Sequence, residues 1–152
     1  MSANADERWM REALGEARLA ASEGEVPIGT VAVSNGEIVG RAHNVRERTH
    51  NPLGHAELLL IDGLAKERKS WRLDDTTIFV TCEPCLMCSG AMLQARIPKV
   101  VYGCADPKAG AMGSLYDVSN DPRLNHSIEI VPGVLAGECA ALLSDFFRIL
   151  RV

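Results

Sequence analysis

Apolar positions along this chain recur in two rhythms, and the switches between them mark out the elements. From about Asp6 to Ser22, Met10, Ala13, Leu14, Ala17, Ala20 and Ala21 fall at helical spacing with charges between them. Gly24 ends that helix, and Pro27 forces an extended entry to the next segment. Ile28 to Val33 is a β-type run, Ser34-Asn35-Gly36 turns the chain, and Glu37 to Ala42 runs back. An Asn-Gly pair between two such runs is a strong hairpin signal. Asn44 to Pro52 is polar and reads as a surface loop. A helix starts near His55 and carries Leu58, Leu59, Ile61 and Leu64. Thr76 to Thr81 is predicted as a buried strand. Pro84 then falls near the first turn of a helix running to about Arg96, where its missing N–H costs nothing. Lys99 to Cys104 is a further strand, Asp106 to Asn125 mostly loop or short helix, Ser127 to Val131 a last strand, and Glu138 to Leu150 a closing helix. Strands alternating with helices predict an α/β fold whose mixed sheet is covered on both faces.

Composition narrows the class. The 152 residues fit one compact domain spanning 1–152, and a 47% hydrophobic fraction is enough for a full core. At 5% aromatic, that core is expected to rest on Val, Ile, Leu and Ala. No apolar run approaches the ~18 residues of a spanning helix, so no membrane partner is expected. The polar, then amphipathic start MSANADERWMREAL lacks the apolar core of a secretory signal, so the expected location is cytoplasmic. Five cysteines, an odd count, argue against a disulfide framework. The net charge of −4 leaves no global nucleic-acid footprint, so any RNA contact has to come from a local surface.

Three segments carry candidate chemistry: His55-Ala56-Glu57, Pro84-Cys85-Leu86-Met87-Cys88, and the loop holding Asn44. Cys85 and Cys88, three apart on a predicted helix, project from one face. At the positive end of the helix dipole both are favoured as thiolates. Zinc held by two thiolates and one imidazole keeps a fourth position for water and lowers its pKa toward ~7. Glu57, two residues past His55, is placed to move protons rather than to ligate. Deamination needs this combination: a hydroxide to attack an amidine-like carbon, and a carboxylate to protonate the ring nitrogen and the leaving ammonia. A lone CxxC is a weak signal and a lone HAE weaker; together, H-x-E and P-C-x-x-C across an intervening strand form the zinc-deaminase pattern. The bland reading is a closed zinc site with His50 or Cys82 as fourth ligand, or unrelated core cysteines. Neither accounts for Glu57 or Pro84.

On these blocks the chain resembles the bacterial tRNA adenosine deaminases, which convert the wobble adenosine of an arginine tRNA to inosine. The resemblance runs through EVPIGTVAV (25–33), HNVRERTHNPLGHAE (43–57), TCEPCLMCSGAM (81–92), VYGCADPKAGAMGSLYDV (101–118) and ECAALLSDFFR (138–148). It implies a three-layer α/β/α cytidine-deaminase-like fold with a five-stranded sheet, a homodimer, one zinc per subunit and a tRNA anticodon stem-loop as partner. Zinc ligation is implied for His55, Cys85 and Cys88, and proton transfer for Glu57. Asn44, Ile28 and the Ala56 backbone match the base pocket, Asp106 and Lys108 the flank of the flipped nucleotide, and Asn125, His126, Phe146, Phe147 and Arg148 positions near the anticodon loop.

Each of these has an ordinary alternative. Asn44 can cap the loop after the hairpin, Ile28 can be core, Asp106 before Pro107 is a common turn pair, and Lys108, Arg46 and Arg48 can be solvated charges. Phe146 and Phe147, adjacent on a helix, cannot share one face. Cys82, Cys104 and Cys139 read as small buried hydrophobes. Two features depart from the family pattern: Gly54 before the zinc His, which is expected to loosen its loop, and Cys82, which could compete for metal. The chain also stops at Val152 without the basic tail some members carry. A zinc deaminase of a free base such as guanine or cytosine, and a non-catalytic zinc-containing RNA-binding subunit, remain as alternatives.

Overall fold

The computed structural model describes residues 3–150; the ends of the span expected as one domain, 1–2 and 151–152, lie outside the described residues. In chain order the elements are α1 (Ala3–Ser22), β1 (Gly29–Ser34), β2 (Glu37–His43), α2 (Arg46–Thr49), α3 (Ala56–Arg68), β3 (Thr77–Cys82), α4 (Leu86–Gln94), β4 (Lys99–Cys104), β5 (Glu129–Val131) and α5 (Ala136–Leu150). The strands form a five-stranded sheet in the order β2-β1-β3-β4-β5. β1 pairs antiparallel with β2 and β3, whereas β3–β4 and β4–β5 are parallel, so the sheet is mixed as expected.

Alternation along the strands sorts the core into two slabs. Ala32, Ile78, Val80, Val100 and Tyr102 face Leu60 and Leu64 of α3 and Met92 of α4. Val31, Val33, Phe79 and Val101 face Trp9, Met10, Ala13 and Leu14 of α1 and Cys139 of α5. The result is three layers, helix on sheet on helix. Two glycines set the packing distance on the α1/α5 side. A Cβ on Gly29 would lie 2.2 Å from the Ala13 carbonyl oxygen, and one on Gly103 would lie 2.4 Å from the Cys139 sulfur. At Gly29, therefore, β1 touches the backbone of α1.

The hairpin turn forms as expected, with Asn35 at φ 53° and Gly36 at φ 73°, the paired left-handed conformation of a tight turn. One expectation is corrected. The 44–52 stretch holds a short helix, α2, because the buried Glu25 caps it: one carboxylate oxygen accepts the Glu47 N–H at 3.0 Å and the other the Arg48 N–H at 2.5 Å. The 106–125 stretch is loop, the first of the two forms expected for it, with isolated bridges that pair Cys85 with Gly110 and Met112 with Asp117.

The fold sets the site's position. The end of β2, the start of β1 and the carboxyl ends of β3 and β4 all meet at one edge, since Gly29 pairs with His43 and Cys82 with Cys104. Every segment singled out for chemistry between Ile28 and Ala109 leaves the sheet there, the usual place for a site in such folds.

Candidate active site

His55 is the N-cap residue of α3 and Cys85 that of α4, so Pro84 stands one position ahead of the cap rather than inside the helix. Two helix N-termini therefore point at one spot, and Cys88, one turn into α4, joins them. His55 Nδ1 lies 3.6 Å from Cys85 Sγ and 3.6 Å from Cys88 Sγ. All three donor atoms fall within 4.8 Å of one another. A tetrahedral zinc with ordinary Zn–N and Zn–S lengths sets imidazole nitrogen and sulfur about 3.6 Å apart. The donor set fits such an ion in both chemistry and spacing.

Charge in the cluster is shared. The Cys88 thiol and the His55 ring hydrogen-bond Cys85 and hold it down at about 4, against the opposing push of burial. Cys88 moves upward for the same reason, reinforced by burial. His55 is raised, chiefly by its contact with Cys85. Protons held between donors in this way are what a bound cation displaces. Glu57 is buried beside them, and burial lifts its carboxyl to about 7.

These residues open into a cavity of about 140 Å³, lined also by Ile28, Asn44, Ala56, Asp106 and Ala109, with Arg46 at its edge. Five of the expected pocket residues, Ile28, Asn44, Ala56, Asp106 and Glu57, are thus brought together with the donors. Asn44 does two jobs at once. Its side-chain oxygen accepts the Arg46 N–H at 3.2 Å, turning the chain into α2, while the residue remains part of the cavity wall. Asp106 likewise turns its own loop, accepting the Lys108 and Ala109 N–H groups at 3.1 and 3.2 Å. Lys108 stands exposed on that loop.

The remaining expected contacts lie elsewhere. Asn125 and His126 line a separate cavity of about 340 Å³ with Leu86 and Leu93, and His126 Nε2 is 2.7 Å from the Ile97 carbonyl oxygen. Phe146 and Phe147 pack edge to face at 5.5 Å on α5, Phe146 toward Ala21 of α1 and Phe147 toward solvent beside Arg148.

Both departures have a structural resolution. Gly54 does not loosen its loop: its N–H bonds the Asn51 carbonyl and its carbonyl the Val45 N–H, both at 2.9 Å. A Cβ there would lie 3.1 Å from the Arg46 backbone. Cys82 is not among the clustered donors; hydrogen bonding to Cys104 and burial push its thiol upward, away from the thiolate a metal needs. Cys82, Cys104 and Cys139 are all buried and free.

Two buried carboxylates, Glu25 and Glu83, are not singled out by the sequence motifs. Each borders an apolar run that the fold buries, and a charge there demands partners; that is the signal by which sequence could have found them. Glu83 receives the N–H groups of Asp106, Met112 and Ser114 and the Ser114 hydroxyl. Burial alone would raise its pKa, but these donors outweigh it and hold it below the usual range.

Residues 4–151 match the MafB19-like deaminase family. The tRNA-specific adenosine deaminase of Bacillus subtilis is 51% identical over 146 residues, covering 96% of this chain and 91% of its own. That of Haemophilus influenzae is 42% identical over 144 residues, covering 94% and 83%. A solved structure from work on A-to-I editing by tRNA:A34 deaminases superposes with a TM-score of 0.86 at 35% identity, over 90% of this chain and 99% of that one. A guanine deaminase from Nitrosomonas europaea shares the fold alone, at 19% identity and a TM-score of 0.77.

Proposed function

We propose, since this chain belongs to the tRNA-specific adenosine deaminase family, that it converts the wobble adenosine of a tRNA anticodon loop to inosine by hydrolysis, with release of ammonia. Kinship supplies the substrate class. The chemistry is carried by one observation: an imidazole nitrogen 3.6 Å from each of two sulfurs, with a buried carboxylate alongside.

His55, Cys85 and Cys88 would hold one zinc ion, which supplies a Lewis acid that makes bound water nucleophilic near neutral pH. Glu57, buried beside the donors, takes a proton from the attacking water. It passes that proton to N1 of the purine, then takes the second proton from the hydroxyl added to the ring carbon and delivers it to the departing amine as the C–N bond breaks. Ile28 provides an apolar wall, and Asn44 and the first turn of α3 at Ala56 offer polar atoms to the base edge. A nucleotide reaches this cavity only when unstacked from its neighbours, which suits a single-stranded loop. Asp106 and Lys108 are assigned to its flank, and Asn125, His126, Phe146, Phe147 and Arg148 to the wider RNA surface. An arginine tRNA is the proposed natural substrate and the cytoplasm its place of action; among the described residues no helix is long and apolar enough to cross a membrane.

A homodimer is also part of the reading. What supports it is the outer face of α3 and α4, where Leu53 and Trp71 are 55% and 60% exposed beside Leu58, Leu59 and Ile61.

The test is an anticodon stem-loop with a wobble adenosine, sequenced for inosine beside free guanine and cytosine. Inosine is expected in the RNA and no ammonia from the bases. In Glu57→Ala, zinc content should stay stoichiometric while turnover falls by roughly 10²–10⁴-fold. Normal turnover in that variant would remove Glu57 from the proton path.

A further inference from the structure

Glu83 is 3% exposed, borders the same cavity, and is not one of the three clustered donors. A carboxylate offers about four acceptor positions, and this one fills them from a single loop. Oε1 accepts the Asp106 N–H at 3.1 Å and the Ser114 hydroxyl; Oε2 accepts the N–H groups of Met112 and Ser114, both at 3.0 Å. Nothing is left over for a substrate. The loop so held, 106–114, has no regular structure of its own, and it carries Asp106 and Ala109 into the wall of the cavity. At its middle, Gly110 lies against the same carboxylate: a Cβ there would be 2.3–2.5 Å from the carboxyl atoms of Glu83. The Glu83 side chain thus occupies the hub of the loop, and only a residue without a Cβ can close over it at position 110. Glu83 is also two residues from Cys85, so the hub is tied directly to the turn that presents the donors.

We propose that Glu83 is a positioning residue that keeps the 106–114 loop wound as a preformed wall, so that the flipped nucleotide binds without having to order it. The inference rests on the deaminase reading for the identity of the bound nucleotide, and on hydrogen-bond geometry for the rest.

The test compares Glu83→Gln, Glu83→Ala, Gly110→Ala and the Glu83→Ala/Gly110→Ala double variant as zinc-loaded proteins. Glu83→Gln keeps the shape but turns an amide N–H₂ toward N–H donors. In each single variant the KM for the stem-loop is expected to rise on the order of 10–100-fold, with kcat falling far less. Amide exchange at Met112 and Ser114 should accelerate. The double variant should be no worse than Glu83→Ala, because the methyl enters the space the carboxylate leaves. The proposal is overturned if KM and amide exchange are unchanged, if zinc is lost together with kcat, or if the Gly110 loss adds in full to that of Glu83→Ala. Should Glu83→Ala fail to fold, Glu83→Gln and Gly110→Ala decide the matter by the same readouts. Should the wild-type protein make no inosine, the deaminase reading fails separately, and stem-loop affinity with amide exchange still decides the role of Glu83.

Discussion

Single residues in this molecule act through what burial does to their charge. Glu57 and Glu83 are both carboxylates sealed in the protein, yet burial lifts one to about 7 while four donors hold the other low. The first suits the proposed proton transfer, whereas the second binds backbone. His43 shows the same contest beside α1. Burial pulls its pKa down, but Glu16, 3.0 Å from Nδ1, and Glu23, 2.8 Å from Nε2, raise it above 6.5 overall. A raised folded value means that this contact contributes stability fully below about pH 6.5 and loses it as pH climbs through that higher value. His43→Gln should therefore lower Tm most at pH 5.5, with the gap to wild type narrowing by pH 8.5; a gap that widens with pH would contradict the assignment. His55→Ala, by contrast, should strip the zinc, and retained stoichiometric metal would show that His55 is not a ligand.

At the scale of elements, contacts of backbone on backbone decide what is tolerated. Gly29→Ala drives a methyl into the Ala13 carbonyl, 2.2 Å away, and the Ala17 nitrogen at 2.3 Å. Neither atom can swing aside, so α1 must lift from β1. An overpacking cost of about 1–3 kcal/mol or more is expected, read as a drop in urea midpoint at constant slope. Elements are also where the sequence is most legible. The 35–36 turn, α1 and the central strands arise from local period and from Asn35-Gly36, and they appear close to their expected limits. α2 is not legible because its N-terminus is capped by Glu25, twenty-two residues upstream of Glu47. No local pattern announces a cap from that far away. The irregular 106–114 loop is hidden for a similar reason: beyond the turn that Asp106 makes for itself, its order comes from Glu83 at the exit of β3. In the site, the donors and Glu57 are readable from motif spacing, whereas Glu83 is fixed only by where Asp106, Met112 and Ser114 meet.

Across the whole molecule the sheet works as a collector. Antiparallel β1 and parallel β4 flank β3, so one edge receives chain from four strands, and segments more than seventy residues apart face one cavity. A metal bound there ties two helices of one layer to the same point, because α3 and α4 are anchored through their first residues. A zinc ion that binds the folded chain and not the separated donors should, at a free concentration about 100 times its Kd, add about 2.7 kcal/mol. For a protein of this size that corresponds to roughly 5–10 °C of Tm between zinc-loaded and chelator-treated protein. Equal melting of the two forms would show that the ion contributes nothing to the fold.

That His55 precedes α3 while both cysteines come after β3 has a consequence for biosynthesis. A nascent chain that has emerged only as far as Val80 presents one of the three clustered donors, the His55 ring, and even the next eight residues supply sulfurs with no surface to hold them, since β4 has still to take its place beside β3. Capture of an ion by these three donors would therefore be a late event in the life of each new polypeptide, one that requires nearly the whole domain to be synthesised and assembled.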